Sequence, residues 1–287
     1  MDEPNSLGVT RSQSFVKTGP FAHGSMKPSL LRTCLAALAL AFLPGPAIAS
    51  PPKVLVVTTT LGYRHGSIEL AEKVIESLGR SSGAYEVELA AVDPTKTPGD
   101  AAYGDAVRAV LARRLNPAAL KQYRGIVFAN TTGELPLPDK DAFIQWIRDG
   151  GAFIGVHSAS DTLHDHRPYI EMLGGEFDYH REQVIVEGVN RDPAHPAVSH
   201  LGATWNLEGT KEEIYVFKNF QANAVHELLG LDRHPNSGVP GRFPIAWCRE
   251  FGAGRVFYTA LGHNPAVWQM EAFQKHLLGG IGWALRR

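Results

Sequence analysis

His65, His157, His180 and His263 are the side chains of this sequence best suited to proton transfer near neutral pH. An unperturbed imidazole titrates at about 6.5, so a neutral one can act as general acid or base on a hydroxyl or carbonyl. The same rings can ligate a divalent metal such as zinc, with a carboxylate in support. Asp161, Asp178, Glu134 and Glu213 are the candidate carboxylates. Spacing does not choose between the two chemistries, because no tight ligand motif such as H-E-x-x-H is present. His164-Asp165-His166 alternates like a metal clip, and a short polar turn explains it equally well. If a metal is bound, the expected ligands are His157, His180 and His263. His195 before Pro196 reads as a turn, and His200, His226, His234 and His276 as surface or structural residues.

The elements that must position these groups alternate between strand and helix signals. Lys53–Thr60 is a β-branched apolar run that predicts a buried parallel strand. A helix is predicted over Ile68–Leu78, capped by Ser67 and ended by Gly79. Strands are expected at Tyr85–Val92, Gly125–Ala129 and Ala152–Val156. Asp93–Gly99 reads as a loop, and helices are expected at Ala106–Leu111, Pro117–Tyr123 and Pro138–Asp149. This alternation implies an α/β fold: three layers, a mostly parallel sheet flanked by helices. Ligands of such sheets lie beyond the carboxyl ends of the strands. Arg64-His65, Asn130 with Glu134, and His157 all fall there. Further on, strands are expected at Gln183–Val189, Glu213–Phe217 and Val225–Leu231. Phe243–Arg249 and Arg255–Ala260 read as a hairpin joined through Gly252, and Val267–Leu285 as one amphipathic helix. Tyr215, Trp247, Tyr258 and Trp268 suit either the core or a flat face for a sugar, with Trp268 favoured as pocket lining.

Composition narrows the function classes. The 287 residues carry 28 Lys+Arg against 29 Asp+Glu, with 44% hydrophobic and 20% charged residues. Disorder is excluded, and the near-neutral balance gives no case for nucleic acid or an anionic membrane. From Met26, the basic Lys27 and Arg32, the apolar run Thr33–Leu43 and Ala47-Ile48-Ala49 form a secretory signal pattern. Residues 1–25 are then an upstream extension, 26–49 a signal peptide, and 50–287 a single domain. A periplasmic or secreted protein is expected, free of the membrane after cleavage. Cys34 leaves with the leader, so Cys248 has no disulfide partner and reads as a buried thiol.

At this point the chain resembles the ThuA-like (trehalose-utilization) family, whose fold is that of the class I glutamine amidotransferases. The resemblance runs from Lys53 to Leu285. It rests on Gly62-Tyr63-Arg64-His65, on Gly150-Gly151-Ala152-Phe153-Ile154-Gly155-Val156-His157-Ser158, and on Gly174-Gly175-Glu176-Phe177 followed by Asp178-Tyr179-His180. His195-Pro196, Glu212-Glu213-Ile214-Tyr215, Gly254-Arg255-Val256-Phe257-Tyr258 and Leu261-Gly262-His263 complete it. The resemblance implies a flavodoxin-like, amidotransferase-like architecture. It places His157 where those enzymes carry a nucleophilic cysteine, so a cysteine glutaminase is not expected. His263 matches their triad histidine, with Pro265 where its acidic partner would stand. Ser158 is a weak nucleophile candidate, because a persisting strand pleat would turn it away from His157.

We therefore expect His65, His157, His180 and His263 to converge at the carboxyl edge of the sheet as the catalytic set. Arg64, Asn130, Glu134, Glu213 and Trp268 are the expected substrate-binding residues. The resemblance implies carbohydrate metabolism, with a sugar, glycoside or keto-sugar as the small-molecule partner and a hydrolase or lyase as the reaction class. No G-x-G-x-x-G follows the first strand, so no nucleotide cofactor is expected. The alternative is a non-catalytic sugar-binding protein on the same scaffold.

Overall fold

The computed structural model describes residues 50–93 and 99–287, together with Lys17, Gly19 and Gly24. The leader, the rest of the extension before it and residues 94–98 of the expected loop lie outside the described residues. The chain divides near Ala49, and the architecture below belongs to Ala49–Arg287.

The elements run β1 (Lys53–Val57), α1 (Ile68–Ser82), β2 (Glu86–Ala90), α2 (Ala101–Arg114), α3 (Pro117–Leu120), β3 (Gly125–Ala129), α4 (Lys140–Arg148) and β4 (Ala152–Val156). A 3-10 turn, His157–Asp161, leads to α5 (Arg167–Leu173) and β5 (Glu176–Tyr179). Then come β6 (Gly188–Asn190), β7 (Thr204–Trp205), β8 (Val216–Lys218), β9 (His226–Arg233), β10 (Pro240–Phe251), β11 (Gly254–Thr259), α6 (Pro265–Gln269) and α7 (Glu271–Ala284).

Nine strands form one sheet in the order β2-β1-β3-β4-β11-β10-β9-β6-β7, and β5 pairs with β8 apart from it. The half from β2 to β11 is parallel, with Val54 beside Gly125 and Phe257 beside Ile154. From β11 to β7 the pairing is antiparallel. The central parallel strands β3 and β4 are buried and apolar throughout because both faces are covered, whereas β2 at the sheet edge carries Glu86 and Glu88. Two cores result: one face packs Val54, Val56 and Ile154 with α1 and α7, the other packs Leu55, Phe128 and Phe153 under α2, α4 and α5. Among the described residues no helix is long and apolar enough to cross a membrane.

Several expected boundaries move for physical reasons. Gly79 does not end α1; a Cβ there would meet the Tyr85 ring at 2.5 Å, so glycine lets the helix pass β2, and the left-handed stop falls at Gly83. Ser67 makes no side-chain cap, because its hydroxyl is engaged across the site instead. Gln183–Val189 is not one strand: Val184 makes an isolated bridge to Glu212 and regular pairing starts at Gly188. The expected strand Glu213–Phe217 shrinks to Val216–Lys218, which frees Glu212 to Tyr215 to enter the site. The C-terminal helix is broken at Met270, whose extended backbone separates α6 from α7.

Candidate functional site

The carboxyl ends of β1, β3, β4 and β11 lie side by side, and each delivers polar groups to the same edge. After β4 the chain does not continue its pleat. His157 takes a left-handed backbone, φ 51°, and opens the 3-10 turn. A non-glycine residue held there is strained, as functional residues on tight strand-to-helix turns often are. Because the pleat stops, His157 and Ser158 both reach the His65 ring, contrary to the divergence expected from a continuing strand. His157 Nε2 is 3.1 Å from His65 Nε2, and Ser158 Oγ is 3.3 Å from His65 Nδ1.

His157 is wholly buried. Its Nδ1 lies 2.7 Å from the carbonyl of Ala260, which can only accept, so Nδ1 carries the proton and Nε2 presents a lone pair. The Tyr215 hydroxyl donates to that nitrogen at 2.9 Å. Burial, then the neighbouring His65, drive the His157 pKa well below the ordinary value. Burial lowers His65 to about 4, helped by His263 and opposed by Glu213. Both rings are neutral at physiological pH.

Glu213 closes the set. Its Oε2 is 3.0 Å from His263 Nδ1 and 3.7 Å from both His157 Nε2 and His180 Nε2. Burial opposes its charge, but the imidazoles outweigh that and hold the carboxyl below its usual range. His263 is shifted upward: burial works against the charged ring, and Glu213 followed by Glu212 overcome it. His263 Nδ1 is buried and has no partner in hydrogen-bond geometry among the described residues, despite its closeness to Glu213.

One donor atom each from His65, His157, Glu213 and His263 lies within 4.8 Å of every other. Three imidazoles and one carboxylate form a donor set suited to zinc or a similar divalent ion. The carbonyl-fixed tautomer of His157, which turns its Nε2 lone pair into the set, is what a cation-holding set requires. This differs from the expected ligands: His65 and Glu213 enter, while His180 stands outside the set, half-exposed and stacked 5.9 Å from the Tyr215 ring.

The other expected site residues are placed differently. Asn130 is buried and donates to Ser67 Oγ at 2.7 Å and to the Gly262 carbonyl at 3.2 Å. Trp268 has no exposed surface, so it does not line an opening, and its Nε1 donates to the same Gly262 carbonyl at 2.8 Å. Ser67 Oγ is 3.1 Å from it as well. Gly262, at φ 115° with the indole against its α-carbon, is thus clamped beside His263. Arg64 pairs with Glu69 at 2.6 Å, and Glu134 with Lys140 at 3.2 Å and the Asp165 amide. Neither is drawn into the imidazole set. Asp178 is exposed. His164 and His166 form no clip: His164 turns to Asp161 and Glu176, and His166 to Asp141, in keeping with the polar-turn reading.

Two contributors were not foreseen as such. Tyr215 is a buried partner of His157. Glu212 accepts the amides of Glu213, His263 and Asn264 at 3.0 to 3.2 Å and so fixes the loop that carries His263. Burial pushes Glu212 up to about 7 although those amides pull the other way. The adjacent carboxylates Glu212-Glu213 beside Tyr215 were the available signal.

Comparisons with known proteins bear on the family and the fold. The family model described as ThuA, trehalose utilisation, matches residues 53–284. Among solved structures the chain is similar to a ThuA-like protein from Parabacteroides merdae, with 19% identity, a TM-score of 0.65, and 82% of this chain and 90% of that one covered. It is similar to another from Bacteroides uniformis, with 21% identity, a TM-score of 0.64, and coverage of 84% and 95%. A cytoplasmic protein from Salmonella typhimurium shares the fold at 14% identity and a TM-score of 0.52, over 81% of this chain and 99% of that one. No curated protein matches the sequence. With the family model spanning nearly all of the described domain, the chain belongs to the ThuA, or trehalose utilisation, family.

Proposed function

We propose that the protein is a carbohydrate-active enzyme whose His65, His157, Glu213 and His263 hold a divalent cation, zinc by the character of the donors, beside a sugar substrate. The observation that carries this reading is the convergence of four donor atoms within 4.8 Å, with His157 locked by a carbonyl and the Glu213 carboxylate 3.0 Å from His263 Nδ1. The bound cation would stabilise charge developing on a sugar oxygen. The neutral state of His65 and His157 keeps their lone pairs available for ligation.

His180 is the group suited to move the proton. Its Nδ1 donates to the Arg181 carbonyl at 2.9 Å, and its Nε2 stands 3.7 Å from Glu213 Oε2. It is half-exposed, so it can exchange with substrate or solvent. Membership of the trehalose utilisation family supports the carbohydrate class, and the signal pattern of residues 26–49 supports action outside the cytoplasm.

A second reading needs no metal. The continuous contact from Tyr215 through His157 to His65 and Ser158 could pass a proton directly. A metal titration of chelator-treated protein separates the two readings. One tightly held ion per chain, with turnover of a glycoside or keto-glycoside restored on loading, supports the first. Turnover that persists in chelator and disappears in His157→Ala supports the second. No turnover in either state, with a sugar raising the Tm, leaves a binding protein.

A further inference from the structure

Tyr63 is the most exposed large aromatic side chain among the described residues, with 66% of its surface open to solvent. Its ring stands edge-on to His65 at 4.8 Å between centroids, at the border of the imidazole set. A loose loop would explain such exposure cheaply, but this loop is anchored. The Tyr63 carbonyl accepts hydroxyls from Thr60 at 3.0 Å and Thr132 at 2.9 Å, and the Leu61 amide donates to Thr132 at 2.9 Å.

The lacing continues to the end of β4. The Gly133 amide donates to the Asp161 carbonyl at 2.8 Å, the Leu163 amide to Gly133 at 3.2 Å, and the Thr131 and Thr162 hydroxyls meet at 2.8 Å. Three strand-end loops are thereby tied into one rigid rim, with Tyr63 on the first and Asp161 on the third. Asp161 closes the 3-10 turn that His157 opens, so it stands at the border of the same imidazole set.

Asp161 is itself held. Its Oδ1 accepts from His164 Nε2 at 2.8 Å, and His164 Nδ1 donates to Glu176 Oε2 at 2.7 Å. Glu176 is buried and also accepts from Asn219 at 2.5 Å. With both ring nitrogens donating, His164 is an imidazolium. Asp161 Oδ2 has no hydrogen-bond partner among the described residues, and its side chain is one-third exposed.

A pyranose ring has an apolar C–H face and a rim of hydroxyls. It is recognised by a fixed aromatic face together with a carboxylate that accepts the hydroxyls. We infer that Tyr63 and Asp161 form a monosaccharide-binding subsite beside His65, with the Tyr63 ring as stacking platform and Asp161 Oδ2 as hydroxyl acceptor. The inference rests on the carbohydrate reading above and assigns it to two residues outside the cation-holding set.

The test is titration of the full chain with glucose, α,α-trehalose, maltose and cellobiose by calorimetry, alongside zinc analysis of each variant. The subsite predicts that wild type binds at least one of these sugars. Tyr63→Ala should weaken that binding by about tenfold or more, while Tyr63→Phe and Tyr63→Trp largely keep it. Asp161→Asn should also weaken it. Zinc content should stay at the wild-type level throughout. Tyr63 is exposed and its loop is held by backbone contacts, so Tyr63→Ala should fold normally. Unchanged affinity in Tyr63→Ala overturns the subsite, as does metal-loaded wild type that binds none of the four sugars; both leave the cation site standing. Wild type that binds sugar through Tyr63 but retains no zinc sinks the cation reading alone.

Discussion

His65 Nε2 and His157 Nε2 sit 3.1 Å apart although 92 positions separate them in the chain. Neither ring is charged at neutral pH, and His157 Nε2 has one in-plane lone pair facing both the His65 ring and the Tyr215 hydroxyl. In the cation-holding reading proposed above, one ion replaces the mutual hydrogen bond of these nitrogens, and the following expectations derive from that.

Tyr215→Phe removes the hydroxyl that serves the His157 lone pair in the metal-free protein. We expect a loss of about 1 kcal/mol in stability without metal. Zinc loading should narrow the gap, because a cation on Nε2 takes the same lone pair. Paired denaturant melts with and without zinc check this, and an equal gap in both states contradicts it.

Glu212→Ala strips three backbone amides of their acceptor at the loop carrying His263. A stability loss of about 2–4 kcal/mol is expected. Zinc affinity should fall by about tenfold or more, since His263 loses its support. Chemical denaturation and competitive chelator titration measure the two effects separately.

Asn130→Ala and Trp268→Phe each remove one donor from the Gly262 carbonyl. Neither residue touches the donor set, so both should retain one ion per chain. Each should cost about 1–2 kcal/mol, and any decline in turnover should appear in kcat rather than in sugar affinity. A selective rise in KM would instead restore them to substrate contact.

His164 provides the pH signature. Its folded pKa is raised to about 9, through the hydrogen bonds to Asp161 and then Glu176, from an ordinary 6.5. A raised pKa means the native state binds the extra proton. The stabilisation is complete below pH 6.5 and fades as pH rises towards 9. With a third of the side chain exposed, we expect about 1–2 kcal/mol. The stability advantage of wild type over His164→Gln should therefore shrink across pH 6.5 to 9. An advantage that grows with pH would refute the assignment.

The sequence carried the parallel half of the fold because strand and helix periods alternate there without conflict. It also located His65, Asn130 and His157 at strand ends, since the α/β rule concerns chain direction alone. His180 and His263 were placed by family resemblance. Other features were not legible locally. Ser158 faces His65 because His157 adopts a left-handed turn that no period announces. Asn130 and Trp268 had suitable chemistry for substrate, but a single carbonyl at Gly262 drew both inward. Glu213 sits in a segment too irregular for a strand, and that irregularity is what lets it meet His263. The division at Met270 had no glycine or proline of its own to mark it, since Pro265 only opens α6.

The most direct test of the central claim is the zinc stoichiometry of the purified full chain after dialysis against a moderate chelator, compared with His157→Ala and Glu213→Ala. The account predicts one ion retained per wild-type chain and affinity reduced by about a hundredfold or more in either variant. Wild type that holds no ion, or variants that hold it as tightly, would contradict it.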